Sequence, residues 1–330
     1  MATLCAAATA HPPHHYEQDE VIRSLPLWLE KDPRLLSLAR RVFENAAVQT
    51  RYGCRPLSDL ARPLSLSETS HLYQHSACAL GEQVVQDCLA RANVTPRAVD
   101  LIISTSCTGF MIPSLDAYLA NRFGFSPHVK RLPVTELGCA AGAVALARAS
   151  DYLRAFPQQT VLVVAVELPS LTFQLHDLSA ANVVSSALFG DGAAAVLLRG
   201  ERQAGQPQIV ATESTLFPHT TEVMGFELKD SGFHIVLSTE IPELVRAEVP
   251  GLVARFLDQH GYTVKDITHF LLHPGGRRVL EGLVYALGIT EAHAEVSRTI
   301  LRDYGNLSSA SVLFILDQFL KHEQTHSGEL

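Results

Sequence analysis

Short runs that are apolar throughout, separated by longer amphipathic stretches, restrict this chain to few architectures. Residues 101–104 (LIIS), 161–166 (VLVVAV), 193–198 (AAAVLL), 208–211 (QIVA) and 270–272 (FLL) lack the alternation of a half-exposed strand. Such runs suit strands covered on both faces. Between them, residues 78–92, 140–155, 242–261 and 309–320 carry apolar side chains at helical spacing. Strands of this kind alternating with helices predict an α/β fold with a mostly parallel sheet. Ligands of such sheets bind at the carboxyl ends of the strands.

A soft boundary falls at residues 200–207 (GERQAGQP), rich in Gly, Gln and charge. The element order on its two sides is similar, which predicts a duplicated architecture: a first half over 1–200 and a second over 207–330. The first half runs from a strand at the chain start, through a helix, to the runs at 101 and 161 and the run at 193. The second runs from 208 through a helix to 270 and a small-residue helix after Asn306. It then ends in a polar stretch, 321–330 (KHEQTHSGEL), where the first half continues into two more apolar runs. The expectation is a second half incomplete at its end.

Composition removes several function classes. With 26 Lys and Arg against 34 Asp and Glu, the net charge is −8 and the pI is about 6.0, unsuited to a nucleic-acid binder. The six cysteines are irregularly spaced and form no CxxC pair, so they read as reduced thiols. The apolar start has no basic residue before Arg23 and breaks at His11-Pro12-Pro13, which argues against a secretory signal. No run approaches the length of a membrane span. The expected location is the cytoplasm.

Three residues stand out chemically. Cys139 directly precedes a small-residue helix, where the helix dipole and free N–H groups favour a nucleophilic thiolate; an inert core cysteine is the plainer reading. His273 closes the run at 270 and opens a Pro-Gly-Gly turn. It is either a structural histidine or the partner of a Cys/His pair. Asn306, again before a small-residue helix, suits an N-cap or an amide donor aimed into a site. As a set they fit acyl transfer: Cys attacks a carbonyl, His stabilises the thiolate, and His and Asn donate to an oxyanion. Two other motifs read as bland. Residues 189–192 (FGDG) lack the Lys and spacing of a phosphate loop and suit a structural turn. His269 and His273 lack a third ligand, so no metal is expected.

At these residues the chain resembles a known family. LGCAAG at 137–142, ALFGDGA at 187–193, HPGG at 273–276 and YGNLSSASV at 304–312 resemble the chalcone synthase-like family, the type III polyketide synthases. STSCTGF at 104–110 resembles its bacterial branch. The resemblance implies an α/β thiolase-like fold, two related halves forming a layered α-β-α-β-α core, and a homodimer. It implies that Cys139 takes a starter acyl group from an acyl-CoA. His273 and Asn306 would promote decarboxylation of malonyl-CoA, and the chain, once extended, would cyclise to a pyrone, resorcinol or related ring. No metal or redox cofactor is implied, and no nucleic-acid or membrane partner.

By the same resemblance Phe189 is a gatekeeper to the cavity, and its companion is Ile235, or Phe233 if the register slips. Cys107, Pro169, Thr172 and Ser308 would line the cavity. Ile112 would reach into the partner's cavity. Arg51, Gly275 and Gly276 would lie against coenzyme A. The family continues past the Asn helix into a Gly-Phe-Gly-Pro-Gly-type segment and a last strand, and nothing like it occurs by Leu330, so the C-terminal strands are expected to be missing.

Two alternatives compete. One is an initiating ketoacyl-carrier-protein synthase with the same Cys-His-Asn chemistry. The other is an inactive, truncated thiolase-fold partner protein, which would have no reason to retain all three residues. The starter, the number of extensions and the ring formed depend on cavity volume, although the bacterial-type segment and a less aromatic gate lean towards fatty acyl or other bulky starters.

Overall fold

A computed structural model describes residues 1–29, 32–322 and 329–330. Residues 323–328, most of the polar tail read from the sequence, lie outside it. The strands are β1 (Ala2–Ala10), β2 (His14–Glu17), β3 (Thr50–Gly53), β4 (Leu101–Ser106), β5 (Lys130–Thr135), β6 (Thr160–Glu167), β7 (Gly192–Arg199), β8 (Gln208–Ile209), β9 (Met224–Lys229) and β10 (Gly232–Leu237). The helices are α1 (Gln18–Ser24), α2 (Pro26–Leu29), α3 (Pro33–Glu44), α4 (Leu66–Arg91), α5 (Leu115–Phe123), α6 (Ala141–Ala155), α7 (Ala180–Leu188), α8 (Ile241–Asp258), α9 (Arg277–Leu287), α10 (Glu295–Tyr304) and α11 (Ser311–His322).

The main sheet has the order β5-β4-β6-β7-β1-β8. Only β5-β4 and β4-β6 pair in parallel; β6-β7, β7-β1 and β1-β8 are antiparallel. The sheet is therefore mixed, not mostly parallel. A strand buried on both faces reads the same in either direction, so its composition gave no sign of this. Period-two alternation splits the core. Leu162, Val164 and Val166 of β6 face α4 with Val84, Val85 and Cys88. Val161, Val163 and Ala165 face α6 and α11 with Ala149, Leu153 and Leu313. The result is a helix-sheet-helix stack.

The apolar runs of the second half pair less extensively than those of the first among the described residues. The 208–211 run pairs over only two residues, and 270–272 joins no ladder among the described residues. Instead the Thr268 and His269 N–H groups donate to the Leu330 carbonyl at 2.7 and 3.1 Å.

Two close approaches fix where the site lies. The parallel strands β5, β4 and β6 end together, bringing Thr135, Ser106 and Glu167 to one rim. There the first turn of α6 meets the turn before α11: a Cβ on Gly142 would sit 2.1 Å from the Ser309 carbonyl oxygen. Gly142→Ala is therefore expected to lower stability by at least about 2 kcal/mol, because backbone rather than a flexible side chain must move. The urea midpoint measures this, and an unchanged midpoint would show that the two segments are not in contact.

Candidate active site

Cys139 is presented by a sharp turn. After β5 the backbone takes positive φ at Glu136 (60°) and Gly138 (54°), then enters a 3-10 turn, Gly138–Ala140, that leads into α6. Opposite it, Gly305 takes φ 75° because its Cα faces the Leu188 carbonyl; a Cβ there would lie 2.7 Å from that oxygen. Asn306 is then locked to the end of α7. Its N–H donates to Leu188 O at 2.8 Å, and its carbonyl accepts from the Gly190 N–H at 3.1 Å. Asn306 Oδ1 accepts from the Ser308 N–H at 2.9 Å and the Ser311 hydroxyl at 3.3 Å. That leaves its amide N–H2 to donate to Cys139, a bond that favours the thiolate. The N-cap of the 3-10 turn before α11 is Leu307, so Asn306 sits one residue ahead of the expected capping position.

Burial pushes the Cys139 thiol above its ordinary pKa. The Ser308 hydroxyl pulls it down, the Glu167 carboxylate pushes it further up, and Asn306 and the Cys139 backbone N–H pull it down. The net displacement is upward, opposite to the thiolate expected from the helix terminus alone, because desolvation outweighs the dipole. A proton acceptor is then needed when sulfur attacks. Burial lowers His273 to about 4, so its imidazole is neutral at pH 7 and able to accept one. His273 stands outside the hydrogen-bonded set, and its buried Nδ1 has no partner. Its segment reaches the site by packing: Leu272 joins Leu188 and Phe189 in one apolar cluster, and Gly276 abuts Leu188.

Glu167 is the buried centre that the sequence analysis passed over. It accepts from the Cys107 N–H (3.1 Å), the Thr108 hydroxyl (2.8 Å) and the Ser309 hydroxyl. Burial holds its carboxyl above the ordinary range. Cys107 Sγ lies 3.3 Å from Ser308 Oγ, so Cys107, Ser308 and Cys139 form one polar chain. Ser308→Ala removes a bond that favours the Cys139 thiolate. The pH midpoint of Cys139 alkylation by iodoacetamide is therefore expected to rise, and an unmoved midpoint would remove Ser308 from the site.

A cavity of about 530 Å³ opens from Cys139. Phe189, Cys107, Pro169, Thr172, Ser308, Ile235 and Phe233 all line it. The pleat of β10 puts residues 233 and 235 on one face, so both gate registers read from the sequence reach the cavity. Its lining also includes Val21, Leu27, Trp28 and Phe43 of α1–α3, which carried no motif to announce them.

Other expected contacts fall elsewhere. Ile112 is 80% exposed and outside the cavity wall, as are Gly275 and Gly276. Arg51 corrects an expectation: it lines the cavity, but its guanidinium is buried and spent on the carbonyls of Ser186, Ala187 and Phe189 and on Gln18. It braces the Phe189 turn through both terminal nitrogens, and its remaining donor, Nε, is buried. The FGDG segment is a structural turn. Asp191 accepts from the N–H groups of Cys54 (2.9 Å) and Ser170 (2.7 Å), and burial raises its pKa to about 6.

The N-terminal domain of the chalcone and stilbene synthases matches residues 1–201, and their C-terminal domain matches residues 208–329. The chain belongs to the chalcone and stilbene synthase family. It is similar to the 1,3,6,8-tetrahydroxynaphthalene synthase of Streptomyces peucetius, 40% identical over 322 residues that cover 96% of this chain and 84% of that one. The phloroglucinol synthase of Pseudomonas fluorescens is 31% identical over 96% of this chain and 90% of its own. The crystal structure of 1,3,6,8-tetrahydroxynaphthalene synthase from Streptomyces coelicolor, a bacterial type III polyketide synthase, superimposes with a TM-score of 0.94 at 33% identity. It covers 98% of this chain and 92% of that one. The chain is thus a type III polyketide synthase of thiolase-like fold, a decarboxylating condensing acyltransferase. Among its described residues no helix is long and apolar enough to cross a membrane.

Proposed function

We propose that Cys139, His273 and Asn306 carry the condensation in this polyketide synthase, and that its starter is a fatty acyl or other bulky apolar acyl-CoA. Cys139 Sγ attacks the starter thioester, His273 takes the thiol proton, and coenzyme A leaves. Malonyl-CoA then loses carbon dioxide, while the Asn306 amide and His273 hold the oxygen of the resulting enolate. The carbanion attacks the acyl-Cys139 carbonyl; a carbon–carbon bond forms, the carbon–sulfur bond breaks, and a chain two carbons longer remains on coenzyme A. Repeated rounds give a poly-β-keto chain that cyclises to a pyrone, resorcinol or related ring. Loss of carbon dioxide drives each round, so the chemistry calls for neither a metal nor a redox cofactor. The single observation behind this reading is Cys139 in the wall of an apolar cavity, beside an Asn306 whose Oδ1 is engaged and whose amide N–H2 is left to favour the thiolate.

The starter assignment rests on the cavity's lining and volume. Its lining includes Leu27, Trp28 and Phe43 as well as Cys139, and its volume of about 530 Å³ is large enough for an aliphatic chain. In the proposed dimer, Phe110 (61% exposed), Ile112 and Leu137 (49%) would be covered by the partner, with Ile112 reaching its cavity. The division into halves at 1–200 and 207–330, and a cytoplasmic location, belong to the same reading. Incubation with malonyl-CoA and acyl-CoAs of graded length, read by product mass, tests it. Long-chain starters are expected to give more product than acetyl-CoA; equal or lower yields would remove the starter assignment.

A further inference from the structure

The hairpin that walls the cavity carries a second constellation on its outer face. Alternation along β10 turns Phe233 and Ile235 towards the cavity and His234 away from it. His234 Nδ1 lies 3.2 Å from Asp177 Oδ2, and His234 Nε2 lies 2.7 Å from Ser231 Oγ. Asp177 is itself fixed, since its Oδ1 accepts the Ser179 N–H at 2.9 Å. A carboxylate facing Nδ1 selects the tautomer with the proton there. Nε2 then presents its lone pair to the Ser231 hydroxyl, which must donate. His234 and Asp177 are mostly covered, with side chains 16% and 19% exposed, while Ser231 is exposed at the hairpin tip.

All three residues line a pocket of about 360 Å³, separate from the cavity at Cys139. Phe173 and Leu175 give it apolar wall, and Lys229 brings an ammonium, paired with Glu227 at 2.9 Å. A hydroxyl, a base within reach of it and a carboxylate orienting that base are the nucleophile, general base and orienting group of nucleophilic acyl transfer.

We propose that Ser231, His234 and Asp177 form a second acyl-transfer site that hydrolyses short carboxylic esters. Ser231 Oγ attacks the ester carbonyl and His234 Nε2 accepts the hydroxyl proton. The carbon–oxygen bond to the alcohol breaks, and the leaving alkoxide takes the proton from the imidazolium. Water, deprotonated by His234, then cleaves the acyl-serine to the free acid and restores the hydroxyl. Asp177 is a positioning residue for the base. The site shares no residue with the condensation chemistry, so it stands or fails independently of the function proposed above.

Labelling of the native chain with a fluorophosphonate, with the modified residue located by peptide mass spectrometry, is expected to mark Ser231. In a Cys139→Ala background, which removes the competing thiol, p-nitrophenyl butyrate hydrolysis is expected to fall at least about tenfold in Ser231→Ala and in His234→Gln. Asp177→Asn is expected to lower kcat with KM unchanged, a split that a merely structural role would not give. A label absent from Ser231, or hydrolysis unchanged by Ser231→Ala, would overturn the proposal.

Discussion

Cys139→Ala is expected to abolish acyl loading and lower polyketide formation by at least about 10³-fold, the largest effect of any single change in this chain. Its cause is the loss of the atom to which the starter is bonded. The neighbouring groups cannot substitute. Cys107 lies in the same polar chain, but burial and the Glu167 carboxylate both push its thiol well above the ordinary range. The fold should survive, since alanine keeps the 3-10 turn before α6 and leaves the Gly142 approach to Ser309 intact. Intact mass after incubation with an acyl-CoA checks the prediction. An acyl adduct on the alanine variant would mean that another residue is the nucleophile.

Asn306 variants should separate loading from decarboxylation. Asn306→Ala is expected to load the starter and to slow carbon dioxide release from malonyl-CoA by about 10²- to 10³-fold, the usual cost of one oxyanion donor. Alanine also removes Oδ1, which accepts from Ser308 and Ser311, so part of its effect could come from a loosened turn. Asn306→Asp isolates the donor. It retains the acceptor oxygens and replaces the amide N–H2 with negative charge. Its decarboxylation is expected to be at least as slow as that of the alanine variant, with loading again retained. Decarboxylation at the native rate in Asn306→Asp would exclude an enolate-holding role for the amide.

What the sequence disclosed follows physical lines. The runs at 101, 161 and 193 became β4, β6 and β7 because strands covered on both faces must be apolar throughout. The edge strand β5 escaped notice: it is mostly exposed, basic and carries Pro133, so no hydrophobic pattern marks it. The capping box of Ser65 with Glu68 was legible yet unread, and α4 consequently begins well before residue 78. Within the site, Cys139 and Asn306 could be found because each announces a helix start. Glu167 lay one residue beyond an apolar run and was cut off with its boundary, although a carboxylate ending such a run must be buried and satisfied. Arg51 misled because a cation near a cavity suggests an anion, whereas here three carbonyls consume it. The run at 270 had the composition of a strand but lacks a partner strand among the described residues, and no single segment encodes its partner.

One measurement bears most directly on the claim that Cys139 and Asn306 act in one condensing site. The chain is loaded with an acyl-CoA, freed of excess, mixed with malonyl-CoA and quenched at intervals for peptide mass spectrometry. The starter adduct on the Cys139 peptide is expected to disappear, and a coenzyme A thioester longer by a single ketide unit to appear, in step with carbon dioxide release, and Asn306→Asp is expected to stop at the starter adduct. A starter adduct that persists while carbon dioxide is released, or an adduct on any other residue, would contradict it.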